Sequence, residues 1–333
     1  MFKLQRSNTP ILQHSKAHGY VPDVQLILAA MDLSSYNYDY KNTVELLNLC
    51  KEHGASISTI ALKREALEQN VSEESLLQRM QDYFADMRES VRRGLQIETI
   101  SPSGLSGGDA RRLQAYSQSE NPLFGARFAR TIAYGFAVLE HNAQFGRIVA
   151  TPTAGSAGIV PACLLSLEDD DGLSLEAAAR ALFTAAGVGV IIGKNASFSG
   201  ARGGCQAEVG SASCMAAAAI VEATGGTPQQ AVDAGAFALM NTLGLVCDPI
   251  GGFVEVPCVS RNGMFAMHSF EAAVMSLAGV RCVVPLDDVV IAMRDIGRRM
   301  PRALKETSEA GLAKTPTGLN YQSGKIVPDT RRP

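Results

Sequence analysis

The stretch GGCQAEVGSASCMAAAA, from Gly203 to Ala219, sets Cys205 and Cys214 between a glycine doublet and a run of four alanines. The alanine run after Cys214 reads as a tightly packed, buried helix, because alanine favours the helix and adds no bulk that would hold neighbours apart. The glycines ahead of Cys205 read as a break. The same alternation of alanine-rich helix and glycine-rich break recurs outward in both directions, and apolar/polar alternation of period two is scarce. The fold class this predicts is mainly α: a single large helical catalytic domain whose Gly-rich loops carry the chemistry.

Upstream, KNTVELLNLCKEHG predicts a helix ending at Gly54. VSEESLLQRMQDYFADMRESVRRG predicts an amphipathic one, with Leu76, Met80, Phe84, Met87 and Val91 on one face, Ser72 as N-cap and acids in the first turn. GARFARTIAYGFAVLEHNAQFG is helical, and LEDDDG at 167 to 172 reads as a solvated loop. Downstream, Thr227, Pro228 and Gln230 form a capping box that opens a helix ending near Gly244, and Asp287 is the candidate cap of the next. The organisation expected is an N-terminal extension (1–40), a helical catalytic domain (41–318) and a C-terminal tail (319–333).

With 46% hydrophobic and 19% charged residues, the 333-residue chain reads as globular. Its net charge of -3, with both signs interspersed, argues against nucleic acid as a partner. The N-terminus lacks the pattern of a secretory signal, and no stretch reads as the roughly 18 to 20 apolar residues of a membrane span. A cytoplasmic location with no membrane partner is expected. Seven cysteines, odd in number and widely spaced, argue against a disulfide framework and leave free thiols or metal ligands.

Four loops carry the candidate chemistry: SGLSGGDA (103–110), TPTAGSAG (151–158), KNASFSGARGGC (194–205) and CDPIGGFVEVPC (247–258). In the last, Cys247 and Cys258 flank Asp-Pro and Gly-Gly, a loop that turns twice and could bring both thiols to one point. Cys205 follows another glycine-rich loop, making three thiols at loop and helix edges, the ligand count of a cluster with one open iron. Zinc wants four ligands, commonly from CxxC pairs that are absent here. The alternative for any of these is a small buried hydrophobe, the reading taken for Cys50, Cys163, Cys214 and Cys282. No GxxxxGK or GxGxxG signals a nucleotide. Lys194 has no pyridoxal-phosphate context, and its loop suits a substrate carboxylate. His14 and His18, four apart, and His141 and His268, in apolar helices, read as solvated or satisfied histidines.

The stretches SGLSGGDA, HNAQFGRIVATPTAGSAGIVPA, KNASFSGARGGCQAEVGSASCMAAAA, GLVCDPIGGFVEVPCVSRN and LAKTPTG resemble the α subunit, or catalytic domain, of the bacterial iron-sulfur L-serine dehydratases. The likeness runs from about Lys41 to Gly318. It implies a 4Fe-4S cluster on Cys205, Cys247 and Cys258 with one iron free, and a lyase of amino-acid catabolism that eliminates water from L-serine to give pyruvate and ammonia. The substrate residues it implies are Thr151, Thr153, Gly155, Ser156, Lys194, Asn195, Ser197, Ser199 and Arg202. It further implies a β subunit with a Ser-Ser-Ser-His-Thr type motif, absent here, to supply the base, and homo-oligomer formation. With Cys282 the last cysteine, no later thiol is expected to close the free iron; the rival expectation is that residues 1–40, with His14 and His18, fold over the cluster.

The chain departs from the family's pattern at Arg202, at GGF after Asp-Pro, and in the bulkier RNGMFAMHSF. These departures bear on which β-hydroxy amino acid is used: Arg202 could pair with a second acidic group, and Phe265 is expected at the pocket edge. An iron-sulfur cysteine desulfidase, whose Gly-Cys-Thr-Glu-Pro type segment is missing, and a non-catalytic cluster-binding subunit or sensor are the alternatives. The intact TPTAGS and KNASFS loops favour the enzyme.

Overall fold

The structure is a computed structural model that describes residues 38–323. Among the described residues twelve α-helices of seven residues or more carry it: α1 Thr43–Glu52, α2 Ile57–Gln69, α3 Glu73–Gly94, α4 Asp109–Ser117, α5 Ala126–Ala143, α6 Ile159–Asp171, α7 Leu175–Asn195, α8 Ser211–Ala223, α9 Pro228–Met240, α10 Cys258–Leu277, α11 Leu286–Arg299 and α12 Pro316–Gln322. Among the described residues there is no strand, only an isolated bridge between Cys247 and Lys305. The mainly α expectation is met.

The alanine run forms the centre. Every residue of α8 from Ser211 to Val221 is buried, and α8 packs against α6, α7, α9 and α10. Small residues permit this enclosure: a Cβ built on Gly235 of α9 would lie 2.9 Å from the Cys214 sulfur, so Cys214 is packing, as expected. The amphipathic stripe of α3 is buried at all five expected positions, and Ser72 caps its first turn.

Several helix starts are held by carboxylates distant in sequence, which stabilise the free amide groups and the positive end of the helix dipole. Glu222 accepts from the amides of Ile57 and Ser58 at 2.9 and 3.1 Å. Glu140, fully buried, accepts from those of Gly108, Asp109 and Ala110.

Asp287 corrects an expectation here. Its own helix begins after Pro285, and its carboxylate instead takes the amide and hydroxyl of Thr43, at 3.0 and 2.5 Å, at the start of α1. The acids at 168 to 171 are likewise not a loop but the last turns of α6. Negative charge there opposes the helix dipole, and Arg127 and Arg130 of α5 offset it by pairing with Asp171 and Asp170. The capping box at Thr227 and Gln230 forms, though α9 ends at Met240 and a turn leads on to Gly244. Finally, α7 is long and apolar enough to cross a membrane, contrary to the sequence expectation; it is mostly buried inside the fold and serves as a core helix.

Residues 38–40 of the expected extension pack into the domain, with the Tyr40 hydroxyl donating to the Gly187 carbonyl at 3.0 Å. The expected boundary at 318 falls inside α12. His14 and His18 lie outside the described residues.

Candidate metal centre

One end of the helical core gathers the loops that the sequence singles out. After α7 the chain makes a short turn over Gly200–Gly203 and enters a π-helical turn, Gln206–Gly210, that runs into α8. A π-turn widens the helix by one residue and is found disproportionately at functional sites. Cys205 is the cap residue just before it and Glu208 sits on it. Opposite, the segment at Cys247 is fixed by a backbone pair: its amide donates to the Leu304 carbonyl at 2.9 Å, and its carbonyl accepts from the Glu306 amide at 2.7 Å.

The outcome is a cluster of donors. Ligand atoms of Cys205, Glu208 and Cys247 all lie within 4.8 Å of one another. Cys258, the first residue of α10, is buried and close enough for its charge to be felt at Cys247. All three thiols are free and buried. The site therefore brings Cys205 and Cys247 together with Glu208, which the sequence reading missed, and leaves Cys258 outside that group but near enough to act on Cys247 electrostatically. The signal that could have found it is its spacing, three residues after Cys205 on a helical turn, which sets both side chains on one face.

The electrostatics follow from burial. The Cys247 thiol, hydrogen-bonded to Cys205 and buried, is held well above the ordinary thiol range. That same hydrogen bond, with help from the Arg261 guanidinium, draws Cys205 down. Burial pushes Cys258 up to about 12 and Glu208 up to about 7, although the Thr153 hydroxyl donates to the carboxylate. Arg261 is the local cation, donating to the Val246 carbonyl at 3.0 Å and standing 3.6 Å from Asp248. Thiols that resist ionisation in a dry pocket lose their protons when a metal ion supplies the compensating charge.

The TPTAGS loop borders the donors. The Thr153 and Ser156 hydroxyls are 3.1 Å apart, Ser156 donates to the Thr151 carbonyl at 3.2 Å, and the Thr151 hydroxyl faces the Ala157 carbonyl at 3.4 Å. A Cβ on Gly155 would lie 3.5 Å from both Glu208 oxygens. Asn262 of α10 ties this loop to Cys258: its amide group donates to the Gly155 and Cys258 carbonyls, and its oxygen accepts from the Gly158 amide, each at 2.8 Å. Asn262 too was missed, since a lone asparagine in a helix carries no sequence signal of its partners.

The KNASFS loop divides. Gly200 touches the donor cluster, where a Cβ would be 2.6 Å from Glu208 and 3.3 Å from the Cys247 sulfur; Ser199 directly precedes it and its carbonyl accepts from the Arg202 and Gly203 amides. Lys194 and Asn195 belong to the end of α7 rather than to a loop. Lys194 binds Asp39 and, at 2.8 Å, the Tyr40 carbonyl, and Asn195 donates to the Lys41 carbonyl at 2.7 Å. Together with Ser197 and the exposed Arg202 they line a basic cleft, with Arg294 and Arg298. Phe265 packs edge-on against His268. His268 is satisfied by the Ala238 carbonyl at 2.9 Å.

SGLSGGDA is structural on its visible contacts. Its serines Ser103 and Ser106, with Ser101 just ahead of them, converge on buried Glu255, three residues ahead of Cys258: Ser101 and Ser103 donate at 2.6 and 2.5 Å, and Ser106 donates as well.

The family profile described as serine dehydratase alpha chain matches residues 52–313. The chain is 48% identical over 283 residues to the probable L-serine dehydratase, alpha chain, of Bacillus subtilis, covering 85% of this chain and 94% of that protein. It is 40% identical over 274 residues to the L-serine dehydratase, alpha chain, of Peptoniphilus asaccharolyticus, covering 82% and 94%. Against the L-serine dehydratase of Streptomyces coelicolor it is 37% identical over 315 residues, 90% of this chain and 67% of that longer protein.

Proposed function

The chain belongs to the serine dehydratase alpha chain family, and from that membership we propose that it removes water from L-serine, or a close β-hydroxy amino acid, as the iron-sulfur chain of a two-part lyase. The β C–O bond breaks and the α proton leaves; the aminoacrylate formed tautomerises and hydrolyses to a 2-oxo acid and ammonia. Residues 41–318 form the catalytic domain in this reading.

The observation that supports it most is the meeting of Cys205, Cys247 and Glu208 within 4.8 Å, beside Cys258 and the TPTAGS loop. The donor set fits a cluster. Soft thiolates suit iron-sulfur chemistry better than hard cations, the pocket is dry, and Arg261 offsets the negative charge that three thiolates accumulate. Cys205, Cys247 and Cys258 would hold the 4Fe-4S group, which when bound supplies a Lewis-acidic iron for a poor leaving group, hydroxide.

The chain's own residues have distinct tasks. The Thr153 hydroxyl fixes the Glu208 carboxylate, and the Thr153 and Ser156 hydroxyls with the bordering backbone offer donors for the substrate carboxylate. Lys194 and Asn195, committed to residues 39–41, anchor the start of the domain, and Arg202 stays with the basic cleft. The base for the α proton comes from a β-type chain, a reading supported by relatives that carry the name alpha chain.

The test is anaerobic reconstitution followed by a screen of β-hydroxy amino acids for 2-oxo acid, with iron and sulfide determined on the same sample. About four irons and four sulfides per chain, with L-serine consumed once a β-type chain is added, is the expected result. A single metal ion without sulfide would instead favour a mononuclear site on Cys205, Glu208 and Cys247.

A further inference from the structure

On the rim of the donor cluster stands a carboxylate that this reading leaves without a task. Glu306 lies alongside Cys247, its amide bonded to the Cys247 carbonyl, and its charge is felt at both Glu208 and Cys258. The residue is exposed. Among the described residues no hydrogen bond or ion pair reaches its carboxylate. Arg302, the arginine of the same loop, is held by both oxygens of Glu309 at 2.9 Å, and Arg261 is engaged by Val246 and Asp248.

Its backbone is unusual as well. Glu306 has φ +63°, in the left-handed region, which is unfavourable for a residue with a Cβ and open to glycine. The pairing with Cys247 accounts for the turn. It does not account for a glutamate in it, and a strained position that keeps an exposed, unpaired carboxylate on the residue bonded to Cys247 points to use of that side chain.

We infer that Glu306 receives the ammonium group of the substrate. The inference rests on the amino-acid reading given under Proposed function. An amino acid brings a carboxylate and an ammonium a few ångströms apart. The hydroxyls and amides of the TPTAGS loop are donors suited to the first, and the second needs an acceptor. Lys194 cannot be that acceptor, being a cation already bound to Asp39.

The experiment uses the full-length chain, reconstituted anaerobically with its β-type partner, and compares by calorimetry the binding of L-alanine and of propanoate, which lacks only the ammonium group. Glu306→Gln is expected to weaken L-alanine by about 10- to 100-fold, the value of a charge-assisted hydrogen bond, and to leave propanoate unchanged. Glu306→Gly is expected to show the same selective loss while its thermal midpoint stays level or rises, which a merely structural residue would not do. Glu309→Gln, on the same loop, should leave both affinities as they are. Unchanged L-alanine affinity, or equal weakening of both ligands, overturns the assignment. An unsubstituted chain that binds L-alanine no better than propanoate and turns over no β-hydroxy amino acid would remove the functional reading, and Glu306's role with it, before any residue is changed.

Discussion

Asn262 donates to the Gly155 carbonyl at 2.8 Å across 107 residues of sequence, and with the same amide group to the Cys258 carbonyl. A fully buried side chain thus locks the TPTAGS loop to the helix that carries Cys258. Asn262→Ala leaves the Gly155 carbonyl and the Gly158 amide without partners, while the Cys258 carbonyl keeps its helical bond, and is expected to cost about 2 to 4 kcal/mol, since each buried orphan costs about 1 to 3. Denaturant unfolding measures this, and iron retention should fall with it; a variant as stable as the parent would show that the loop is held by other means.

Gly200 is where the site tolerates no side chain. Its Cβ would stand 2.6 Å from Glu208, so Gly200→Ala must displace the carboxylate or the turn. We expect a folded protein, by circular dichroism, whose iron content and turnover drop at least tenfold.

The three proposed ligands should separate cleanly from the packing thiol. Replacing Cys205, Cys247 or Cys258 by Ala is expected to abolish iron binding after reconstitution. Cys214→Ala should retain the cluster and lose about 1 kcal/mol of stability through its contact with Gly235. Loss of iron in Cys214→Ala alone would reverse the assignment.

Glu140→Ala tests the remote capping of α4. Three amides lose their acceptor, and Gly108 at the N-cap has no side chain to replace it. A loss of about 3 kcal/mol is expected in urea unfolding, with little recovered in Glu140→Gln, whose amide nitrogen presents donors to donors.

Asp39 gives a pH dependence. The hydrogen bond from Lys194, with a smaller one from Arg64, holds its carboxyl below the usual range. A depressed folded value means the pair stabilises above the ordinary carboxylate range, and that contribution is lost as pH falls through the lowered value. The pair is largely solvated, so less than about 1 kcal/mol is at stake. Thermal midpoints of the parent and Asp39→Asn should differ slightly at neutral pH and converge as the pH falls below the lowered Asp39 value.

The sequence by itself determined the helices. The stripe of α3, the Ser72 cap, the capping box at Thr227 and the buried alanine run are all local patterns, fixed by propensity and by the 3.6-residue period within one segment. Cys205, Cys247 and Cys258 were also legible, because thiols at glycine-rich breaks are rare enough to notice and the family's motifs surround them. What only the tertiary structure decided is which distant groups meet. Glu140, Glu222 and Asp287 start helices other than their own, Asn262 ties a loop 107 residues away, and Lys194, placed by its motif in the substrate loop, turns to Asp39 instead. A side chain's partner depends on the crossing of elements, and no local period encodes that. Glu208 and Glu306 became visible for the same reason: each is an ordinary glutamate in sequence, and only the packing of the π-turn, the Cys247 segment and the 302–309 loop around one point sets them beside the thiols.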